Sequence, residues 1–177
     1  DGVVLSRIQA LESQGKTVVV VGAERPLGLI AVADTVRPAA RRVVEELRRQ
    51  GITHLVMLTG DNARVANAVA AEIGISEWRA GLLPEQKVAA VRDLVATRGP
   101  VAMVGDGVND APALAAATVG VTMGGAATDV ALETADVVLM ANDLTKLPRA
   151  LELSRRCRRV ILQNLGFAGL VILGLVT

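Results

Sequence analysis

The sequence predicts an α/β fold, with a parallel β-sheet flanked by helices and followed by a C-terminal stalk and membrane helix. Short apolar segments alternate with helical segments of about a dozen residues, a pattern typical of right-handed βαβ units. The 177 residues are 51% hydrophobic, with a mean hydropathy of +0.44. A chain of this size can bury one α/β core without disulfides. The last 18 residues carry no charge, which separates them from the rest of the sequence.

Charge and composition exclude several classes of function. The chain has 19 Lys and Arg against 18 Asp and Glu, so its net charge of +1 creates no overall field that attracts nucleic acid. One Trp, one Phe and no Tyr leave no set of aromatic rings on which bases could stack. The single cysteine, Cys157, excludes a disulfide framework and suits a reducing compartment. We therefore expect no nucleic-acid partner.

The first 33 residues are predicted to form a helix and a β-hairpin. The segment Val4–Gln14 is predicted as a short helix, and Thr17–Gly22 and Leu27–Ala33 as apolar strands. The turn between the strands, residues 23–26, contains a proline and favours a hairpin. Because the sequence begins within a predicted helix and without Met, we expect it to be a piece of a longer chain.

Strands and helices alternate through residues 34–143. Pro38 in a first turn and Gly51 after a last turn delimit a predicted helix over 37–50. Trp78 is predicted to lie in a loop and to pack against the sheet. The other predicted helices are 62–73, 84–97 and 111–117, with a helical turn at 129–134; the predicted strands are 54–58, 101–104, 119–122 and 137–140.

The C-terminal segment joins a basic helix to an uncharged run. Residues 144–159 are amphipathic and contain six cations, whereas residues 160–177 contain no charge. A helix of that uncharged length is about 27 Å long, close to the hydrocarbon core of about 30 Å. Cations directly before an uncharged run are typical of a cytoplasmic stalk that enters a bilayer. The alternative is a buried C-terminal helix, which Gln163 and Asn164 permit.

A polar turn follows the predicted strand that ends at Leu58. The turn Thr59-Gly60-Asp61-Asn62 offers a hydroxyl and backbone N–H groups at a helix N-terminus, which together suit an anion. Capping of the next helix by Asp61 or Asn62 explains the same residues equally well.

A second polar loop follows the predicted strand 101–104. Its sequence, GDGVND, places Asp106, Asn109 and Asp110 within five residues. Two carboxylates and an amide form a hard-oxygen set suited to Mg²⁺, and helix capping is the alternative. Lys87 lies in the first turn of another predicted helix, where a cation is unfavourable with the helix dipole. An ammonium group that reaches a phosphate would explain this position, although a surface lysine would need no such partner.

The segments TGDN, PEQK and GDGVNDAPAL, in this order and spacing, resemble the phosphorylation domain of P-type cation-transporting ATPases, which has a haloacid-dehalogenase-like fold. ADTVRP resembles the segment by which that family re-enters this domain from its nucleotide-binding domain, and RRVILQNLGFAG resembles its return into the membrane. The short distance from Asp34 to the membrane segment indicates the heavy-metal-transporting branch. The implied domains are 1–33, the tail of the nucleotide-binding domain; 34–143, the phosphorylation domain; 144–159, the stalk; and 160–177, the start of a transmembrane helix.

The resemblance implies part of an ATP-driven heavy-metal pump that forms and hydrolyses an aspartyl-phosphate with Mg²⁺. It assigns Thr59 and Lys87 to catalysis, Gly60, Asp61 and Asn109 to phosphate or nucleotide binding, and Asp106 and Asp110 to the metal. The implied partners are ATP, phosphate, a heavy-metal cation and membrane lipid. The implied location is the cell membrane, with the phosphorylation domain on the cytoplasmic side.

The sequence departs from the family at one point that matters for chemistry. The DKTGT motif with the family's nucleophilic aspartate does not occur in it, so the isolated chain is expected not to form the aspartyl-phosphate. One alternative is a free-standing phosphatase of the same fold with Asp34 as nucleophile, although Val36 stands where such enzymes usually have a second acid. Another is a module that binds Mg²⁺ and phosphate without catalysis. Zinc, cadmium, cobalt and copper all remain open as the transported ion.

Overall fold

The computed structural model describes residues 2–14, 16–23, 25–33, 36–105, 110–124 and 133–176. The predicted order of helices and strands is confirmed in these ranges except for one additional strand at Glu77–Arg79, and the other boundaries differ by a few residues. The elements are α1 (Gly2–Glu12), β1 (Lys16–Gly22), β2 (Pro26–Ala33), α2 (Ala40–Arg49), β3 (Val56–Leu58), α3 (Ala63–Ile73), β4 (Glu77–Arg79), α4 (Pro84–Arg98), β5 (Ala102–Gly105), α5 (Ala111–Ala116), β6 (Val119–Met123), β7 (Val137–Leu139) and α6 (Lys146–Val176). Most of the helical turn predicted at 129–134 lies outside the described residues.

Strands β1 and β2 form the predicted antiparallel hairpin. Lys16 pairs with Ala33 at the open end, and Gly22 pairs with Pro26 beside the turn. The hairpin displays large apolar side chains from both strands to solvent: Val19, Val20, Val21, Leu27, Ile30 and Val32. Such a two-stranded unit is marginally stable alone, because it covers little of its own apolar surface.

The parallel strands form two sets. Strand β3 pairs with β4, and β6 pairs with β5 on one side and β7 on the other. Trp78 lies within β4, opposite Met57 of β3, so the prediction of a loop at this position was wrong. A strand of three residues that includes Glu77 and Arg79 has no apolar run or alternation long enough to be recognised in the sequence.

Two apolar clusters hold the helices against the second strand set. Val91 of α4, Met103 of β5 and Leu114 of α5 are buried together, with Leu58 of β3 packed against them. The other cluster joins β6 and β7 to the start of the C-terminal helix through Val121, Met123, Leu139, Leu144, Leu147 and Ala150. The first turns of α6 are therefore fixed to the sheet by buried apolar contacts.

A cavity of about 640 Å³ lies between the two sets of strands. All three residues of β3 line it on one side, and residues 101–104, which include most of β5, line it on the other. Helix α2 adds its buried residues Val43, Val44 and Leu47, and Asp110 contributes a carboxylate to the lining. In the described residues each of β3 and β5 pairs with one parallel neighbour, and both strands line this same cavity.

The predicted basic helix and the uncharged run that follows it form one continuous helix, α6. Within the described residues, its segment Lys146–Leu175 is long and apolar enough to cross a membrane by length and composition, and none of its most apolar stretch is buried in the protein. Asp143 precedes this helix and accepts hydrogen bonds from the backbone N–H and the hydroxyl of Thr145. These bonds lower the pKa of the Asp143 carboxyl below its ordinary value, because they favour its charged form.

Candidate active site at the carboxyl ends of the strands

The turn after β3 is closed by its own side chains. The Thr59 hydroxyl donates to Asp61 Oδ2 at 2.7 Å and accepts from the Asp61 backbone N–H at 3.1 Å. The Thr59 carbonyl accepts from the backbone N–H of Leu82 at 3.0 Å, and the Asp61 carbonyl accepts from that of Gly81 at 2.7 Å. The turn that contains Thr59, Gly60 and Asp61 is therefore held against the segment that leads into α4.

Asn62 caps the helix that follows this turn. Its Oδ1 accepts from the backbone N–H groups of Arg64 at 3.0 Å and Val65 at 3.1 Å, and Gly74 ends the helix with a φ of +79°. Of the two capping residues that the sequence left open, the structure selects Asn62, since the Asp61 carboxylate accepts from Thr59 instead. Two of the N–H groups at this helix N-terminus are consequently occupied by a side chain of the protein.

Lys87 and Asp110 form an ion pair between the starts of two helices. Lys87 Nζ donates to Asp110 Oδ1 at 2.7 Å, and the two side chains are 17% and 16% exposed. Lys87 lies in the first turns of α4, and Asp110 directly precedes α5. The Asp110 carboxylate supplies the counter-charge that a cation at a helix N-terminus needs. This pair joins two of the residues that the sequence selected, 23 positions apart.

Gly105 makes room for the Asp110 carboxylate at the end of β5. A Cβ atom at position 105 would lie 3.1 Å from both Cβ and Oδ2 of Asp110, which is closer than ordinary contact. A larger residue there would push the carboxylate away from the strand end. The first glycine of Gly-Asp-Gly is therefore explained by steric constraint, because the backbone of β5 and the side chain of Asp110 meet at position 105.

The predicted metal ligands are placed in part. Asp106 and Asn109 lie outside the described residues, whereas Asp110 is described. No group of three His, Cys, Asp or Glu side chains in the described ranges could hold a metal ion. The Asp110 carboxylate is the type of oxygen donor that Mg²⁺ prefers. Lys87 engages its Oδ1, and its Oδ2 lies beside the end of β5.

A protein-family model matches most of the chain. The model, described as haloacid dehalogenase-like hydrolase, matches residues 3–118. The chain belongs to the haloacid dehalogenase-like hydrolase family. The matched segment contains the turn at 59–62, Lys87 and the loop that ends at Asp110, so the polar residues at the strand ends all lie within the haloacid dehalogenase-like part.

The curated relatives of this haloacid dehalogenase-like chain are much longer proteins, and the chain matches one part of each. A probable cadmium-transporting ATPase of Staphylococcus aureus (strain MRSA252) is 47% identical over 173 residues, which is 97% of this chain and 24% of that protein. A probable cadmium-transporting ATPase of Alkalihalophilus pseudofirmus is 50% identical over 162 residues, 91% of this chain and 22% of that protein. The chain therefore spans about a quarter of the length of the curated relatives it matches.

A solved structure extends the similarity to the three-dimensional arrangement. The crystal structure of a zinc-transporting PIB-type ATPase matches 93% of this chain with a TM-score of 0.76 and 48% sequence identity, and the match covers 27% of that protein. At this identity the likeness reflects common descent over nearly the whole haloacid dehalogenase-like chain. The α/β fold predicted from the sequence, with a parallel arrangement of its central strands, is confirmed.

Two long-range contacts, one of them at the turn after β3, carry no signal in the sequence. Glu12, at the end of α1, accepts a hydrogen bond from the amide of Asn62, 50 residues away. The guanidinium of Arg155 in α6 donates to the carbonyl of Gln50, 105 residues away. Periodicity and local motifs cannot reveal such pairs, because neither partner lies in a pattern that includes the other.

Proposed function

We propose that this chain is the C-terminal part of the catalytic unit of an ATP-driven heavy-metal pump. The observation that supports this most directly is the Lys87–Asp110 pair beside the end of β5. It lies in a chain that is homologous over nearly its whole length to one segment of proteins named cadmium-transporting ATPases. The matches favour part of a pump over a free-standing phosphatase, because the relatives are much longer than this chain.

In this proposal a further strand of the full-length protein lies between β3 and β5 and carries the nucleophilic aspartate. Both strands line the same apolar cavity, and a parallel strand is normally buried by neighbours and helices on both faces. A strand in that position would end beside Asp110, which lines the cavity. The aspartate at its end would attack the γ-phosphate of ATP and form an acyl-phosphate, with ADP as the leaving group.

The residues of this chain would bind and stabilise the transferred phosphoryl group. The Thr59 hydroxyl would turn from Asp61 to a phosphoryl oxygen, and the Gly60 N–H would donate to another. The Lys87 ammonium group, which donates to Asp110, would also donate to the phosphoryl group as negative charge develops there. Asp106 and Asp110 would hold Mg²⁺, and Asn109 would donate to phosphate. When bound, Mg²⁺ would neutralise charge on the phosphoryl oxygens.

Membrane attachment and partners follow from the same proposal. Helix α6 would enter the cell membrane near Val160, with residues 34–143 as the phosphorylation domain on the cytoplasmic side. Residues 144–159 would form the stalk, and residues 1–33 would belong to the nucleotide-binding domain, whose remaining part would cover the apolar hairpin. A heavy-metal cation would bind in membrane helices of the full-length protein, with membrane lipid around them.

The proposal is tested with the full-length protein in membrane vesicles and radiolabelled ATP. We expect an acid-stable phosphoenzyme that hydroxylamine releases and that requires cadmium or zinc as well as Mg²⁺. The variant Asp34→Asn serves as the control for the phosphatase alternative and is expected to keep the phosphoenzyme. Loss of the phosphoenzyme in that variant, or its formation at equal levels without any heavy metal, would contradict the pump.

The joint between α2 and α6 gives a further prediction. Arg155 donates to the carbonyl of Gln50, and the Gln50 amide donates to the carbonyl of Pro148 at 3.2 Å, so the end of α2 is bound to two points of the stalk. Arg155→Ala in the full-length protein is expected to lower metal transport per ATP hydrolysed about fivefold, the effect of one charge-assisted hydrogen bond. Phosphoenzyme formation should stay within about twofold, since the active site is untouched.

The matched control for this joint is Arg156→Ala, which removes the neighbouring exposed arginine of the same helix. Transport into vesicles and ATP hydrolysis are measured on the same preparation. Equal loss of coupling in both variants would assign the effect to stalk charge in general and contradict a specific role of the joint.

A further inference from the structure

Glu12 connects the N-terminal unit to the polar turn after β3. It is the last residue of α1, and its side chain is 21% exposed. Its Oε1 accepts from Asn62 Nδ2 at 3.1 Å, and its Oε2 accepts from the Arg64 guanidinium at 3.4 Å. One carboxylate thus binds two side chains at the start of α3, 50 and 52 residues further along the chain.

The amide of Asn62 has a fixed orientation because both of its ends are engaged. Its oxygen accepts from the backbone N–H groups of Arg64 and Val65, so its NH₂ group must point away from the helix. Glu12 provides the acceptor for that NH₂ group. The carboxylate also lies at the positive end of the α3 dipole, where a negative charge is stabilising.

Asn62 directly follows the residues that would bind the phosphoryl group. A change in the position of Asn62 moves the backbone of Asp61, and the Asp61 carboxylate and N–H both bind the Thr59 hydroxyl. Glu12 is therefore linked to Thr59 by two hydrogen-bonded contacts, Glu12 with Asn62 and the adjacent Asp61 with Thr59. Because Glu12 belongs to α1, and α1 is in contact with both strands of the hairpin, the position of that whole unit is linked to the turn.

We propose that Glu12 is a positioning residue that sets the nucleotide-binding unit against the phosphate-binding turn through Asn62 and Arg64. The inference rests on the proposed function, in which residues 1–33 belong to the nucleotide-binding domain. The contact then contributes to the step that needs ATP, when both units act on one molecule. It contributes little to the reverse reaction with inorganic phosphate, which needs the turn at 59–62 but no nucleotide.

The test compares two routes to the phosphoenzyme in the full-length protein, with Glu12→Ala against Glu72→Ala. Glu72 is an exposed residue of α3 and serves as the matched control. Glu12→Ala is expected to raise the ATP concentration for half-maximal phosphorylation about three- to tenfold, the range expected for one or two lost hydrogen bonds. Phosphorylation by inorganic phosphate should keep its concentration dependence within about twofold.

Hydrogen exchange of the same preparations tests the contact itself. The amides of residues 62–66 are expected to exchange several times faster in Glu12→Ala than in Glu72→Ala, because the cap loses its support. Unchanged exchange, or an equal weakening of both phosphorylation routes, would overturn the inference. Absence of phosphoenzyme from the unsubstituted protein by either route would contradict the proposed function and, with it, the role of Glu12 in the ATP step; the exchange measurement still decides the contact.

Discussion

Asp106→Ala in the full-length protein is expected to abolish phosphoenzyme formation from ATP, to less than about a thousandth of the unsubstituted rate. In the sequence Asp106 directly follows Gly105, the last residue of β5, and the Asp110 carboxylate lies beside Gly105. The proposed function gives Asp106 a direct bond to Mg²⁺. Without its carboxylate, Mg²⁺ would lose a direct ligand and the phosphoryl oxygens would keep uncompensated charge. Rapid-quench phosphorylation with labelled ATP measures the rate.

Asp106→Asn and Mg²⁺ titration separate the metal role from a role in folding. The amide retains the size of the side chain but is a weaker ligand, so we expect the Mg²⁺ requirement to rise at least tenfold, about 1.4 kcal/mol of lost binding. Thermal unfolding without Mg²⁺ should be the same for Asp106→Asn and the unsubstituted protein. Phosphoenzyme at ordinary levels in Asp106→Ala would defeat the assignment of this residue to the metal.

Lys87→Met is expected to slow phosphoenzyme formation about 10²- to 10³-fold, the usual cost of one preorganised charge at a developing anion. Methionine keeps much of the apolar stem while it removes the ammonium group that donates to Asp110. The same change leaves a mostly buried carboxylate without its partner, so part of the loss could come from misplacement of Asp110. Single-turnover phosphorylation at saturating ATP measures the chemical step.

A double substitution separates these two causes. Lys87→Met with Asp110→Asn removes both charges, so the unpaired carboxylate no longer contributes to the loss. The double variant is compared with Asp110→Asn alone: if Lys87 acts on the phosphoryl group, Lys87→Met slows the reaction further in that background. No further slowing relative to Asp110→Asn would make Lys87 a partner of Asp110 and nothing more. Arg92→Ala, an exposed change on the same helix, is the control and should leave the rate unchanged.

Local signals determined the helices and their ends. Gly74 ends α3 as predicted, because a left-handed backbone favours glycine, and Pro84 begins α4 in a first turn where its missing N–H costs nothing. Strand β4 was missed because three residues with two charged side chains have no apolar pattern. Its place beside β3 depends on pairing with a strand about twenty residues earlier, which no local window contains.

The candidate site was predictable in its residue types and only partly in its contacts. The loop with Asp110 indicated an Mg²⁺ site and the position of Lys87 allowed a contact with phosphate, but the ion pair between them spans 23 residues and two helices. The choice between Asp61 and Asn62 as the helix cap was also left open by the sequence, because both are good capping residues. The three-dimensional structure decides it: Asn62 accepts the hydrogen bonds of the cap, and the Asp61 carboxylate binds the Thr59 hydroxyl instead.

The order of residues along this chain was sufficient for its family, for its helices and strands apart from β4, and for the types of polar side chain that follow the strands, since each depends on neighbours a few positions apart. Folding in three dimensions decided the rest: the contact of Glu12 with α3, the joint between Gln50 and Arg155, and the cavity between β3 and β5. These features bring together residues far apart in the sequence, and their positions follow from packing of whole elements, which no local pattern records.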